Sequence, residues 1–144
     1  MHIPKEVVEE LKSIKPQGLI CEPSQTFLAG HISRLTMSVI KTNSDQVFIS
    51  KVALKHIVDS RKDLAERVIE IIPEVLKDPD KIADNSVKRH NSFLFAKKLN
   101  KHYGVILEIT KTTGLVNQVV SAFVISRKTY GKIRDISGGT AATQ

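Results

Sequence analysis

A single α+β unit is the fold class this sequence predicts, on three observations. Between Gln46 and Asp80 the apolar residues recur at helical spacing behind one short strand-like run. From Ser92 to Ile125 three runs are rich in aromatic and β-branched residues, each bounded by Asn, Gly, Lys or Thr. The length of 144 residues lets one domain bury a core without disulfide or metal staples.

The elements follow in chain order. Ile3, Val7, Val8 and Leu11 share one face of an amphipathic helical segment, with Glu6, Glu9, Glu10 and Lys12 on its wet side. Gly18 to Cys21 and Leu35 to Ile40 read as short strands, and the polar link between them holds Gly30, His31 and Arg34. These front elements either extend the main sheet or clip on to it as an accessory layer. The stretch QVFISKVALKHIVDSRKDL, starting at Gln46, reads as a strand feeding a helix that carries His56 and ends near Arg61. Leu64, Val68, Ile71, Ile72, Val75 and Leu76 then form the stripe of a second helix. Pro73 removes a backbone donor and crowds the preceding turn, so a kink or a fresh start is expected at PEVLKDPD, and Asp78, Pro79 and Asp80 stop the helix.

Ser92 to Leu99, Tyr103 to Thr110 and Val116 to Ile125 are the predicted strands, most simply joined as a meander, with Gly114 supplying a tight turn between the last two. The run VVSAFVIS is apolar on both alternating faces, which predicts a central strand covered on two sides. SGGTAATQ, at residues 137–144, reads as a disordered tail. The expected organisation is one domain over 1–136, with a core at 46–130 and an accessory segment at 1–45.

Lys and Arg number 22 against 15 Asp and Glu, a formal charge of +7, and the pI is about 9.6. Such a balance favours a polyanionic partner, against the alternative of incidental surface charge. The lone Cys21 cannot form an intramolecular disulfide and has no close basic neighbour to activate it, so it reads as a buried thiol in a reducing compartment. With no long apolar span and no signal-peptide pattern, a cytoplasmic protein without a membrane partner is expected.

Glycine-rich phosphate loops, dinucleotide fingerprints and paired cysteines are all missing from the sequence. His2, His31, His56, His90 and His102 lack the i, i+4 pairing of a helical metal site, and Asp78, Asp80 and Asp84 read as capping and solvating a helix end. No cofactor and no metal are therefore expected.

Among the remaining polar residues, His56 comes first. Against a buried stripe of Leu54, Ile57 and Val58, a turn of about 100° per residue puts it on the opposite side of its helix. There it is either a general acid or base or a solvated surface histidine. Arg89, His90, Lys97, Lys98, Lys101 and His102 bracket one strand with cations, as a phosphate-binding groove would, or as an edge strand that discourages pairing with other chains. Ser121 lies on the alternating face of Val119, Phe123 and Ile125, its hydroxyl either satisfied inside the core or contacting substrate on the concave side. Tyr130 either stacks on a base or caps the core.

The succession of a strand, the KHIVDSR helix, an apolar helix closing in PEVLKDPD, a basic strand, and then VVSAFVIS and RKTY resembles the phage and mobile-element branch of the barnase/EndoU/colicin/RelE-like ribonuclease superfamily. The resemblance covers roughly residues 46–130. It implies N-terminal helices packed on a mainly antiparallel sheet and metal-independent cleavage of RNA, in which the 2′-hydroxyl attacks the adjacent phosphate. His56 matches the helix histidine and would be acid or base. Ser121 matches a late-strand hydroxyl position where threonine is the usual residue. By residue type and placement near that surface, Arg61 and Lys97 are added to the catalytic set and Arg89, Lys98 and Tyr130 to substrate binding. RNA is the implied partner, and a toxin role would add an acidic antitoxin or immunity protein. The alternative is a non-catalytic nucleic-acid-binding or phage-associated interaction domain of the same fold.

Overall fold

In the computed structural model, which describes residues 3–13, 26–88, 91–110 and 116–137, serines start three of the helices. Ser33, Ser50 and Ser126 have extended backbones, and the hydroxyl of each accepts the amide N–H three residues on, from Thr36, Ala53 and Thr129, all at 3.1 Å. They cap α2 (Arg34–Ile40), α3 (Lys51–Ser60) and α6 (Arg127–Lys132). α1 spans Lys5–Ser13, α4 Lys62–Ala65 and α5 Val68–Lys77. The strands are β1 (Thr26–His31), β2 (Gln46–Ser50), β3 (Lys81–Asp84), β4 (Ser92–Lys98), β5 (His102–Thr110) and β6 (Val116–Ile125).

All six strands form one sheet in the order β1-β2-β6-β5-β4-β3. Every neighbouring pair is antiparallel except β2 and β6, which run parallel. The fold is α+β, and its predicted β4-β5-β6 meander is present.

Two front-end expectations are overturned. Leu35 to Ile40 is helix α2, because the Ser33 cap opens a helical turn and Lys41 closes it in the left-handed conformation at φ 60°. The front strand is β1, within the stretch that reads as a polar link. It pairs with β2, so the front of the chain does extend the sheet. Gly18 to Cys21, Gly114 and the tail at 138–144 lie outside the described residues.

The apolar stripe of the second helix is buried throughout, from Leu64 to Leu76, but the helix divides at Glu66 and Arg67 and runs on through Pro73. Pro73 is tolerated where α5 crosses β1 on Gly30. A Cβ on Gly30 would stand 3.2 Å from both Pro73 Cα and Leu76 Cδ1. Gly30→Ala is accordingly expected to cost about 1–3 kcal/mol by overpacking, read as a lower urea midpoint at unchanged slope.

One face of the sheet carries this helix layer. Val47, Ile49, Phe95, Tyr103, Val105, Leu107, Val119 and Ala122 all join its core. α1 packs on the outside of α3, where buried Lys55 donates to the Leu11 carbonyl at 2.9 Å and to Asp59 at 2.8 Å. Because strand side chains alternate, the partners of these residues point to a second face that the helix layer leaves open.

β6 is central, as its apolar run predicts, yet it is not covered on both sides. Phe123 and Ser121 are half-buried on the open face. There Phe123, Ile125 and Leu94 close over Gly104, whose missing side chain makes room for them.

Candidate active site

A β-bulge builds the site. Ser121 pairs with Ile106 and Val119 with Leu107, which leaves Val120 as an extra residue in β6. Simple alternation would keep Ser121 on the face of Val119. The bulge instead leaves Val119 against the helices and turns Ser121, Phe123 and Ile125 to the open face.

The cross-strand register then stacks the open face in rows. Phe48, Gln118 and Glu108 form the first, Ser121, Ile106 and Leu94 the next, Phe123, Gly104 and Ala96 the third, and Ile125, His102 and Lys98 the last. Glu108 and His102 are six residues apart on β5, so the rows span roughly 20 Å.

β2 ends at Ser50, and α3 continues alongside the part of β6 that β2 leaves unpaired. Consequently α3 walls one side of the open face. Leu54, Ile57 and Val58 turn inward and His56 is exposed, the orientation its spacing predicts. A cleft of about 370 Å³ lies between His56, Val52 and Ala53 on one side and Glu108, Gln118 and bulged Val120 on the other. Farther along, Arg61 caps the end of α3 with its guanidinium carbon 5.9 Å from the centre of the Phe123 ring.

Three of the residues singled out in the sequence therefore meet on one surface: His56, Arg61 and Ser121. The Ser121 hydroxyl makes no hydrogen bond among the described residues. Glu108, Gln118 and Phe123 join them, and sequence reasoning passed over all three. Glu108 is a lone acid in an apolar strand, which is the signal that was there to be read.

Lys97 is not brought to this surface. It pairs with Tyr103 on the helix side, and its ammonium donates to the Asp78 carbonyl at 2.7 Å and to the Asp78 carboxylate at 3.2 Å. Lys98 is exposed in the last row, opposite His102 and about 20 Å from Glu108. Arg89 lies outside the described residues.

Tyr130 stands at the same far end, on α6. Its ring centre is 4.4 Å from that of His102, Lys81 lies 4.5 Å over the ring, and its hydroxyl donates to Asp80 at 3.0 Å. It therefore ties α6 to the sheet. Burial, reinforced by the Asp80 carboxylate, pushes the phenol up to about 12 from 10.0. The folded chain thus holds this proton more tightly than the unfolded chain. The stabilisation is complete below pH 10 and is lost as the pH rises through about 12. One of the two tyrosines is expected to titrate near 12 by phenolate absorbance, and Tyr130→Phe to remove that transition.

Among the described residues no cluster of three or more His, Cys, Asp or Glu side chains is placed to hold a metal ion, and no helix is long and apolar enough to cross a membrane.

The site thus offers an exposed imidazole facing a carboxylate, with a guanidinium on the same wall. That combination can move protons at a phosphodiester and balance its charge. No curated protein and no solved structure matches the chain. The family model described as phage-Barnase-EndoU-ColicinE5/D-RelE like nuclease 3 matches residues 28–132, which take in the cleft, the α3 wall and the far end at α6, and the chain belongs to this nuclease family.

Proposed function

We propose that this nuclease is a metal-independent endoribonuclease. The observation that carries the reading is the cleft in which His56 on α3 and Glu108 on β5 line opposite walls. A carboxylate can accept a proton and an imidazole can give one. In the reaction, Glu108 takes the proton of the RNA 2′-hydroxyl. The freed 2′-oxygen attacks the neighbouring phosphorus, the bond to the 5′-oxygen breaks, and His56 gives that oxygen a proton. The products are a 2′,3′-cyclic phosphate and a 5′-hydroxyl. Arg61 meets the charge that gathers on the phosphorane, and the Ser121 hydroxyl offers it a hydrogen bond. Lys98 is a phosphate contact for RNA that continues to the far end.

The same reading extends to a toxin. Unchecked RNA cleavage harms the cell that makes it, and an acidic antitoxin or immunity protein would suit a chain of charge +7 by covering the open face.

Labelled total RNA incubated with the protein in excess EDTA tests the reaction. The expected result is chelator-resistant cleavage with cyclic or 3′-phosphate ends. Intact RNA, bound in a salt-sensitive way, would replace the enzyme with a non-catalytic binding domain of the same fold.

A further inference from the structure

Lys55 is a lysine where lysines are rarely found. It stands in the middle of α3, one residue before His56, and its side chain is only 5% exposed. A charge that deep persists only when it is paired. The ammonium donates to Asp59, one turn on along α3, at 2.8 Å and to the Leu11 carbonyl of α1 at 2.9 Å. Leu11 lies in the last turn of α1, where carbonyls lack partners within their own helix and a cation is favoured. Lys55 therefore caps α1 from the side of α3.

Three faces of α3 thus have separate tasks. Leu54, Ile57 and Val58 pack toward the sheet, His56 lines the cleft, and Lys55 with Asp59 meets α1. Apolar burial has no preferred direction, whereas a hydrogen bond from a buried cation holds its partners in one geometry. α1 in turn depends on its seat. Its nine residues are too few for an independent helix in water, and Ile3, Val8 and Leu11 are buried in the core. Lys12 adds a second anchor, 3.3 Å from Glu66 where α4 gives way to α5. α1 lies ahead of the residues that the family match takes in, and behind α3 as seen from the cleft.

We infer that Lys55 is a positioning residue: by fixing where α1 seats on α3, it sets the pose of His56 against Glu108. Neighbouring residues of a helix are rigidly linked, about 1.5 Å apart along its axis, so a shift of α3 against α1 carries His56 with it. For its effect on rate the inference rests on the ribonuclease reading of the cleft.

The test replaces the charged pair by apolar side chains, Lys55→Met together with Asp59→Leu, an exchange that commonly leaves stability unchanged or raised. It is expected to cut kcat for oligoribonucleotide cleavage by about 10–100-fold, the worth of a misplacement on the order of 1 Å. Affinity for a 2′-O-methyl analogue, which lacks the attacking hydroxyl, and the thermal midpoint are expected to stay as in wild type. If the double variant does not fold, Lys55→Gln, which keeps a donor in the seat, is measured in its place with the same expectation. Amide NMR spectra read the pose without the chemistry. The signals of His56, and of Gln118 and Val120 across the cleft, are expected to move while those of β3 and β4 stay. Wild-type kcat in a folded variant, cleft signals that do not move, or activity lost only in step with the thermal midpoint would overturn the inference. Wild type that cleaves nothing is a different result. It removes the ribonuclease reading, and the cleft signals alone then decide whether Lys55 sets the pose.

Discussion

His56→Ala is expected to slow RNA cleavage by about 10²–10⁴-fold, the usual worth of a general acid or base. The fold should hardly notice, since the side chain is exposed on α3 and surface replacements of this kind stay within about 0.5 kcal/mol. Loss of activity at unchanged thermal stability is therefore the signature to look for. His56→Ala as active as wild type would remove the histidine from the mechanism and leave its bland role as a solvated residue. The measurement is single-turnover cleavage of a defined oligoribonucleotide, which keeps the chemical step apart from product release.

Glu108→Gln is expected to cost a similar factor, and the pH profile tells the two residues apart. A general base works only after losing its proton, so cleavage rises with pH through the base's titration. A general acid works only while protonated, so cleavage falls through the acid's titration. Wild type should show a bell-shaped kcat/KM. The glutamine variant should lose the rising limb and the alanine variant the falling one. The opposite pattern would exchange the two roles without moving the site. Glu108→Gln at full rate would exclude the carboxylate altogether.

Local signals carried the sequence reading furthest where they had nothing to compete with. The His56 helix was legible because Leu54, Ile57 and Val58 set a single buried stripe, and that stripe fixes the side on which a histidine must stand. Strands β4, β5 and β6 were legible from their aromatic and β-branched composition. Leu35 to Ile40 misled because a short apolar run suits strand and helix equally; the serine two residues ahead of it was the deciding signal. The four residues of β3 and the six of α6 went unread because neither segment is long enough to show a period.

Lys97 and Lys98 show where residue type stops being informative. Both are lysines on one basic strand, but adjacent strand residues face opposite sides, and only the sheet's placement says which side holds the helices. Lys97 is held by Asp78, whereas Lys98 reaches the open surface.

From its residues alone the chain determined an α+β domain, a helix presenting His56 outward, a central β6 and a net positive charge, because periodicity, propensity and formal charge are local or additive properties. Tertiary structure alone decided that His56 would share a cleft with Glu108. β2 stops short, which lets α3 run beside β6 and sets His56 across from Glu108, and β6 carries one unpaired residue, which turns Ser121 and Phe123 to the same face. Strand pairing across distant parts of the chain sets both, and period-two alternation cannot announce the residue at which it will break.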